Sequence, residues 1–346
     1  MRRWSSLGVV EVYGIIEGVY FKHVDGGIFY AKGVIHPPGG VIGFPKYIPS
    51  PRGSRVAPSG ISYVKIEELR SQLRILKERY PSYLREDKCL GCLVPVVPTS
   101  DIDEIYDPVV VVNEMKSRAR RTVERVAVEL VSLLAEHIGW DKVGLSGSLL
   151  LGLYTPRSDI DVVVYGGHYK AYEVLKEARD KRILTGYSGD KLALLYRARS
   201  KETPIDPIAF KLHQQRKLLE GLISGFEYFI RLIDPSSEPP YCTFKTRKHG
   251  TVKVRGEVVD DSRSMMTPCV YEVFIDEVII GPKEAYEVSK LYSLRGRFCE
   301  LVQADEKFEA RGSLEKVEYH DGSCEYRIYL GYEGDYLISL DLLKRR

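Results

Sequence analysis

The sequence predicts an α+β protein: a core of alternating strands and helices, flanked by an N-terminal β unit and a C-terminal small β-barrel-like domain. Three observations predict it. The chain has 346 residues, 44% hydrophobic and 29% charged, enough apolar material for two or three cored units. Its apolar period changes from short alternating runs to helical spacing and back again. Midway, a glycine-serine turn is followed by a strand that opens with two aspartates. The expected units are 1–64 (N-terminal β unit), 65–112 (a helix and a proline-rich connecting arm), 113–235 (the core) and 236–346 (the C-terminal β domain).

In chain order, residues 9–63 alternate short apolar stretches with glycine and proline and read as strands and turns. Ile66, Leu69, Leu73 and Leu76 recur at helical spacing, so a helix follows and ends at Pro81. Prolines 81, 95, 98 and 108 then suit a connecting arm. A long helix is expected from Asn113 as N-cap through Val123, Val126, Leu130 and Leu134 to Gly139. The core continues with a strand at 142–145, a turn and apolar helix, a strand at 159–165, helices near 168–183 and 193–200, and a strand at 226–233. Beyond Asp234 the pattern is mainly short strands with one helix near 282–291, which suits a small barrel, an oligonucleotide-binding (OB) type being one candidate.

Lys and Arg number 51 against 48 Asp and Glu, a net charge of +3. That excludes a uniformly basic nucleic-acid coat and leaves local basic faces, such as Lys116 to Arg125 and Lys245 to Lys248 with Arg255. No apolar run reaches the ~20 residues of a membrane span, so a cytoplasmic location without a membrane partner is expected. Six sparse cysteines argue against a disulfide scaffold, with Cys89 and Cys92 the pair to test. One asparagine and four glutamines, beside abundant charge, are a thermophile tendency.

The chemistry is concentrated in Val143-Gly-Leu-Ser-Gly-Ser148 and Asp159-Ile-Asp161. The two-residue period of a strand puts Asp159 and Asp161 on one face. Two such carboxylates suit a hard divalent cation, Mg²⁺ or Mn²⁺, whose remaining ligands are phosphate oxygens. Gly147 and Ser148, at the turn from strand to helix, suit phosphate itself. An internal control exists, since Ser100-Asp-Ile-Asp103 repeats the tetrapeptide Ser158-Asp-Ile-Asp161 without an upstream Gly-Ser and reads as a helix cap or turn.

These residues resemble the DNA polymerase β-like nucleotidyltransferase superfamily, of the type predicted in archaea, over about residues 113–234. The resemblance implies that Asp159 and Asp161 hold the metal and are catalytic. It also implies that Gly147 and Ser148 bind the NTP, and that a nucleoside monophosphate passes to a hydroxyl acceptor with release of pyrophosphate. The third strand of that family reads Asp-Ile-Arg-Leu-Ile; here it is Phe229-Ile-Arg-Leu-Ile233, which keeps Arg231 for the triphosphate but replaces the third carboxylate. Glu227, Asp206, or Asp260 with Asp261 could supply that acid. RNA is the first acceptor expected from the flanking β units. A non-catalytic nucleotide- or RNA-binding protein that keeps the fold is the alternative. P-loop and dinucleotide fingerprints are missing, and Cys89-Leu-Gly-Cys92 has only half a zinc ligand set.

Overall fold

The computed structural model describes Val10 and residues 13–344. The chain divides into two compact units. The first comprises residues 1–87, 92–184 and 222–241, and the second residues 88–91, 185–221 and 242–346.

The first unit begins with eight strands: β1 (Tyr20–His23), β2 (Ile28–Ala31), β3 (Gly40–Pro49), β4 (Arg55–Val56), β5 (Ser62–Lys65), β6 (Leu84–Asp87), β7 (Cys92–Pro98) and β8 (Ile102–Tyr106). The path β4-β5-β3-β2-β1-β8 forms the sheet, and β7 joins β3 to β6. Helix α1 (Leu69–Arg79) covers part of it, burying Leu76 among Phe21, Phe29 and Tyr80. The arm expected between residues 81 and 108 is therefore largely strand. Its valines pair with β3 (Val41↔Val97, Ile42↔Val96), while Pro95 stands opposite Leu84. Proline removes one donor but leaves a strand's apolar face intact.

The long helix expected from Asn113 is two helices, α2 (Pro108–Lys116) and α3 (Thr122–Ile138). Asp107, not Asn113, caps the first, accepting the N–H groups of Val109 (2.9 Å) and Val110 (3.4 Å), with Pro108 at the first helical position. The Glu124 carboxylate accepts the N–H groups of Arg120 and Arg121 at 2.8 and 2.9 Å and so starts α3 afresh. The basic face at this junction is largely engaged. Lys116 lies over the Trp140 ring, Arg118 pairs with Glu114 and Arg121 lies over Tyr154.

Then come β9 (Val143–Leu145), the short helix α4 (Gly147–Leu150), β10 (Ile160–Tyr165), α5 (His168–Asp180) and β11 (Phe226–Ile233). Within their sheet these strands are neighbours in the order β11-β10-β9, with β11 parallel and β9 antiparallel to β10. The N-terminal strands share a core with this segment. Tyr20, Ile28, Tyr47 and Tyr63 cluster with Leu150, Leu151 and Leu153, and Ile16 and Val19 cluster with Val109, Val163, Tyr165 and Ile233. The positions 64 and 112, where the sequence suggests boundaries, thus fall inside one packed unit. Strands this short need a neighbour to cover their apolar face.

The second unit contains α6 (Gly189–Arg199), α7 (Pro207–Arg216) and the strands β12 (Phe244–Asp260), β13 (Cys269–Ile280), β14 (Val288–Ser293), β15 (Lys307–Tyr319), β16 (Cys324–Tyr329) and β17 (Tyr336–Ser339), ending in α8 (Leu340–Lys344). The order β12-β13-β14-β16-β15-β17 has a further β12–β15 pairing, so the first five strands close on themselves. Only β14 and β16 are parallel within this ring. The helix expected near 282–291 is a single 3₁₀ turn, Lys283–Glu287, followed by β14, and no strand forms at 300–304. There Glu300 adopts φ 61° and its carboxylate accepts the N–H groups of Leu218 and Leu219 at 2.8 and 3.1 Å. A disulfide joins Cys89 to Cys242, and Cys92, the partner suggested by spacing, takes no part in it. Proximity in sequence gave way here to the pairing of the Lys88–Gly91 turn with β12, in which the Thr246 N–H donates to the Cys89 carbonyl at 2.8 Å.

Candidate active site

Asp159 precedes β10 and is exposed, while Asp161 is the strand's second residue and half-buried. The Ser146 N–H donates to the Asp161 carbonyl at 2.8 Å and ties the turn after β9 to the start of β10. Gly147 makes that turn at φ 62°, and a Cβ there would stand 2.1 Å from Asp161 Oδ2. Both the backbone sign and the space therefore demand glycine. Ser146 Oγ donates to the Gly18 carbonyl at 2.9 Å, whereas the buried Ser148 Oγ has no partner among the described residues. A buried hydroxyl left unpaired is costly unless something else comes to it.

Neither Asp159 nor Asp161 has a side-chain hydrogen bond or ion pair among the described residues. Burial first, then the Asp159 charge, pushes the Asp161 carboxyl up to about 6, against the opposing influence of Arg231, Lys46 and Lys65. Arg231, two residues beyond Phe229 on β11, lies over the Phe229 ring at 4.7 Å, with its Nε 3.5 Å from Glu17 Oε1. Glu17 in turn pairs with Lys32 (3.1 Å) and accepts the Gly33 N–H (2.8 Å). Arg231 therefore reaches the site already partnered.

Phe229 stands in register with Asp161, where a third acid would be closest. Glu227 is half-buried on β11, but no group of three His, Cys, Asp or Glu residues arranged for a metal occurs among the described residues. Asp206 belongs to the second unit and caps α7, accepting the N–H groups of Ile208 and Ala209. Asp260, in the same unit, accepts the Ser262 N–H and hydroxyl, each at 2.8 Å.

Several side chains around the aspartates carry no motif and were not legible in the sequence. Arg55, on β4, donates to the Leu153 carbonyl and to Ser158 Oγ, both at 3.2 Å, and so braces the loop that delivers Asp159. Lys46 on β3 and Lys65 on β5 both act on Asp161. Lys65 is paired with Glu67 at 3.1 Å. Lys46 is half-buried, and burial, reinforced by Lys65, holds its ammonium below the usual lysine range.

Residues 129–220 match the family described as nucleotidyltransferase domain. The matched stretch contains Gly147, Ser148, Asp159 and Asp161. Residues 129–220 form a nucleotidyltransferase domain. An uncharacterized protein of Methanocaldococcus jannaschii is 26% identical over 283 residues, covering 79% of this chain and 80% of that protein. No solved structure matches the chain. The nucleotidyltransferase domain supports transfer of a nucleoside monophosphate and implies an NTP substrate. No helix among the described residues is long and apolar enough to cross a membrane.

Proposed function

We propose that the protein is a metal-dependent nucleotidyltransferase that joins a nucleoside monophosphate to a hydroxyl acceptor. The observation that carries this reading is the pair of carboxylates, Asp159 and Asp161, without a partner among the described residues, with Asp161 against the Gly147 turn that the buried Ser148 follows. The donor set fits the expected cation, because Mg²⁺ is commonly held by one or two carboxylates together with substrate phosphates. Asp159 and Asp161 would hold Mg²⁺ or Mn²⁺, which when bound supplies charge neutralisation at the phosphoryl group. Ser148 and the Gly147 turn hold phosphate, and Arg231 steadies the triphosphate while Glu17 fixes its guanidinium. The acceptor oxygen forms the new bond to the α-phosphorus. The bond from that phosphorus to the α,β-bridging oxygen breaks, and pyrophosphate leaves with the electron pair. The hydroxyl proton goes to solvent or to a base other than residue 229.

RNA is the acceptor class favoured by the second unit, whose closed ring of five strands has the strand order and single parallel pair of an OB-type barrel. Its basic face is tempered by carboxylates. Arg247 pairs with Glu318, and Arg255 with Glu277 and Glu309. A second reading is a binding protein that retains the fold without turnover, favoured by Phe229 at the third-acid position.

Each labelled NTP is incubated with Mg²⁺ or Mn²⁺, with and without total RNA. Transfer that disappears in Asp159→Ala and Asp161→Ala supports the enzyme. NTP binding without transfer under either metal supports the second reading.

A further inference from the structure

Lys46 presents an imbalance of the opposite sign to that of the aspartates. It sits next to Tyr47 on β3, and the register Tyr47↔Lys65 places it by β5; its carbonyl accepts the Ile66 N–H at 2.8 Å. The backbone is thus fixed by the sheet. Its ammonium, however, makes no hydrogen bond or ion pair among the described residues. The neighbouring cations are all engaged. Lys65 pairs with Glu67, Lys32 with Glu17, Arg231 with Glu17, and Arg55 with two neutral oxygens. Half-burying a charge without a partner is unfavourable. The Asp161 carboxylate lies near enough to act on Lys46 but does not pair with it. The two groups are held apart, one lacking an anion and the other a cation.

A metal-nucleotide satisfies both. One divalent cation cancels the charge of two carboxylates, which leaves the triphosphate to be met by the protein, and an ammonium is a compact partner for phosphate oxygens. The buried Ser148 hydroxyl, next in the chain after the Gly147 turn that lies against Asp161, is a third group without a partner among the described residues. We infer that Lys46, supplied by the N-terminal sheet, is a triphosphate-binding residue of the nucleotidyltransferase site. The inference rests on the proposed function and assigns that sheet a part in substrate binding.

The test is calorimetric titration of the full chain, wild type, Lys46→Gln and Lys46→Arg, with the four NTPs, inorganic pyrophosphate and the four nucleoside monophosphates, each with Mg²⁺. Lys46→Gln should weaken NTP and pyrophosphate by about tenfold or more, Lys46→Arg should restore most of that loss, and monophosphate affinity should change less than about twofold. The melting temperature of ligand-free Lys46→Gln should equal or exceed that of wild type, because no native partner is lost. Wild-type NTP and pyrophosphate affinity in Lys46→Gln overturns the inference and leaves the proposed function standing, as does an equal loss for tri- and monophosphates. A marked fall in melting temperature overturns it too, since it would mean that the ammonium serves the fold. A wild-type protein that binds pyrophosphate but no NTP removes the proposed function and keeps Lys46 as a phosphate contact. Binding of neither removes both.

Discussion

The first unit contains the tetrapeptide Ser-Asp-Ile-Asp twice, and the two copies have opposite fates. In Ser100-Asp-Ile-Asp103, Asp101 accepts hydrogen bonds from the Tyr83 hydroxyl at 2.6 Å and from Ser100 at 3.0 Å, and Asp103 pairs with Lys22 at 2.6 Å. In Ser158-Asp-Ile-Asp161 the serine is held by Arg55 and by the Thr155 N–H, but both carboxylates are left without a partner among the described residues. Identical residues are therefore paired within the fold in one place and left unpaired among the described residues in the other. The difference is made by what lies upstream. Asp101 ends a 3₁₀ turn, Thr99–Asp101, whereas Asp161 faces a glycine that leaves no room for a Cβ.

The largest expected break in this comparison is functional. Asp159→Ala or Asp161→Ala should lower label transfer by about a thousandfold or more, the scale of removing the principal electrostatic stabiliser of a transition state. Asp101→Ala and Asp103→Ala should leave the transfer rate within about twofold. Equal losses in both copies would mean that the second tetrapeptide is structural as well.

A second test extends the comparison to a charged set that is complete. In the second unit the buried Glu220 is held by both arms of Arg199, by Lys217 at 2.9 Å and by Gln214 at 3.3 Å. Burial alone would raise its pKa, yet Arg199 and Lys217 hold the carboxyl well below the usual range. Glu220→Ala strands two cations and should cost about 3–5 kcal/mol, read by urea denaturation. Stability within about 1 kcal/mol of wild type would show that the set is not coupled as its geometry implies.

What the sequence made legible follows the same line. Asp159, Asp161, Gly147 and Ser148 could be singled out from the sequence because two aspartates two residues apart and a glycine turn are local arrangements, set by a period of two and by one sharp bend. Strand 226–233 was legible too, because Phe226, Tyr228, Phe229, Ile230, Leu232 and Ile233 are aromatic and aliphatic residues that favour a strand despite Glu227 and Arg231 among them. Lys46, Glu17 and Arg55 could not be read, since each reaches the site only through the packing of the N-terminal strands on Leu150, Leu151 and Val163. The Cys89–Cys242 bridge spans 153 residues, so no spacing rule announces it. The break between α2 and α3 was missed because their shared apolar periodicity hides a cap made by Glu124.

A smaller effect is carried by pH. The Asp161 carboxyl is pushed up to about 6 in the folded protein, above its unfolded value of roughly 4. Between these values the folded state binds more protons, so the ligand-free protein should lose stability as pH rises from about 4 to 6. Asp161→Asn should flatten that slope and stabilise the apoprotein at pH 7.5 by on the order of 1 kcal/mol, once screening by the solvent that reaches the group is counted. The buried His213 works in the other direction. Its Nε2 accepts the Ser339 N–H at 3.1 Å, and burial, then Arg216 and Lys217, lowers its pKa to about 3. Its contribution is present above about pH 6.5 and is lost as pH falls toward 3. Chemical denaturation of wild type and Asp161→Asn between pH 4 and 8 separates the two slopes. An unchanged slope in the variant would remove the claim that Asp161 is held at a cost.

The smallest effect falls on the satisfied tetrapeptide. Lys22 and Asp103 form a largely exposed pair, and Glu104 lies 3.6 Å from the same ammonium. When Asp103 is replaced by alanine, Glu104 can take over part of the interaction, so the loss should be only about 0.2–1 kcal/mol and should shrink further in 1 M salt. A double-mutant cycle with Lys22→Ala measures the coupling directly. A coupling several times larger would mean that the first copy is itself a tightly built site, and the contrast with Asp159 and Asp161 would lose its footing.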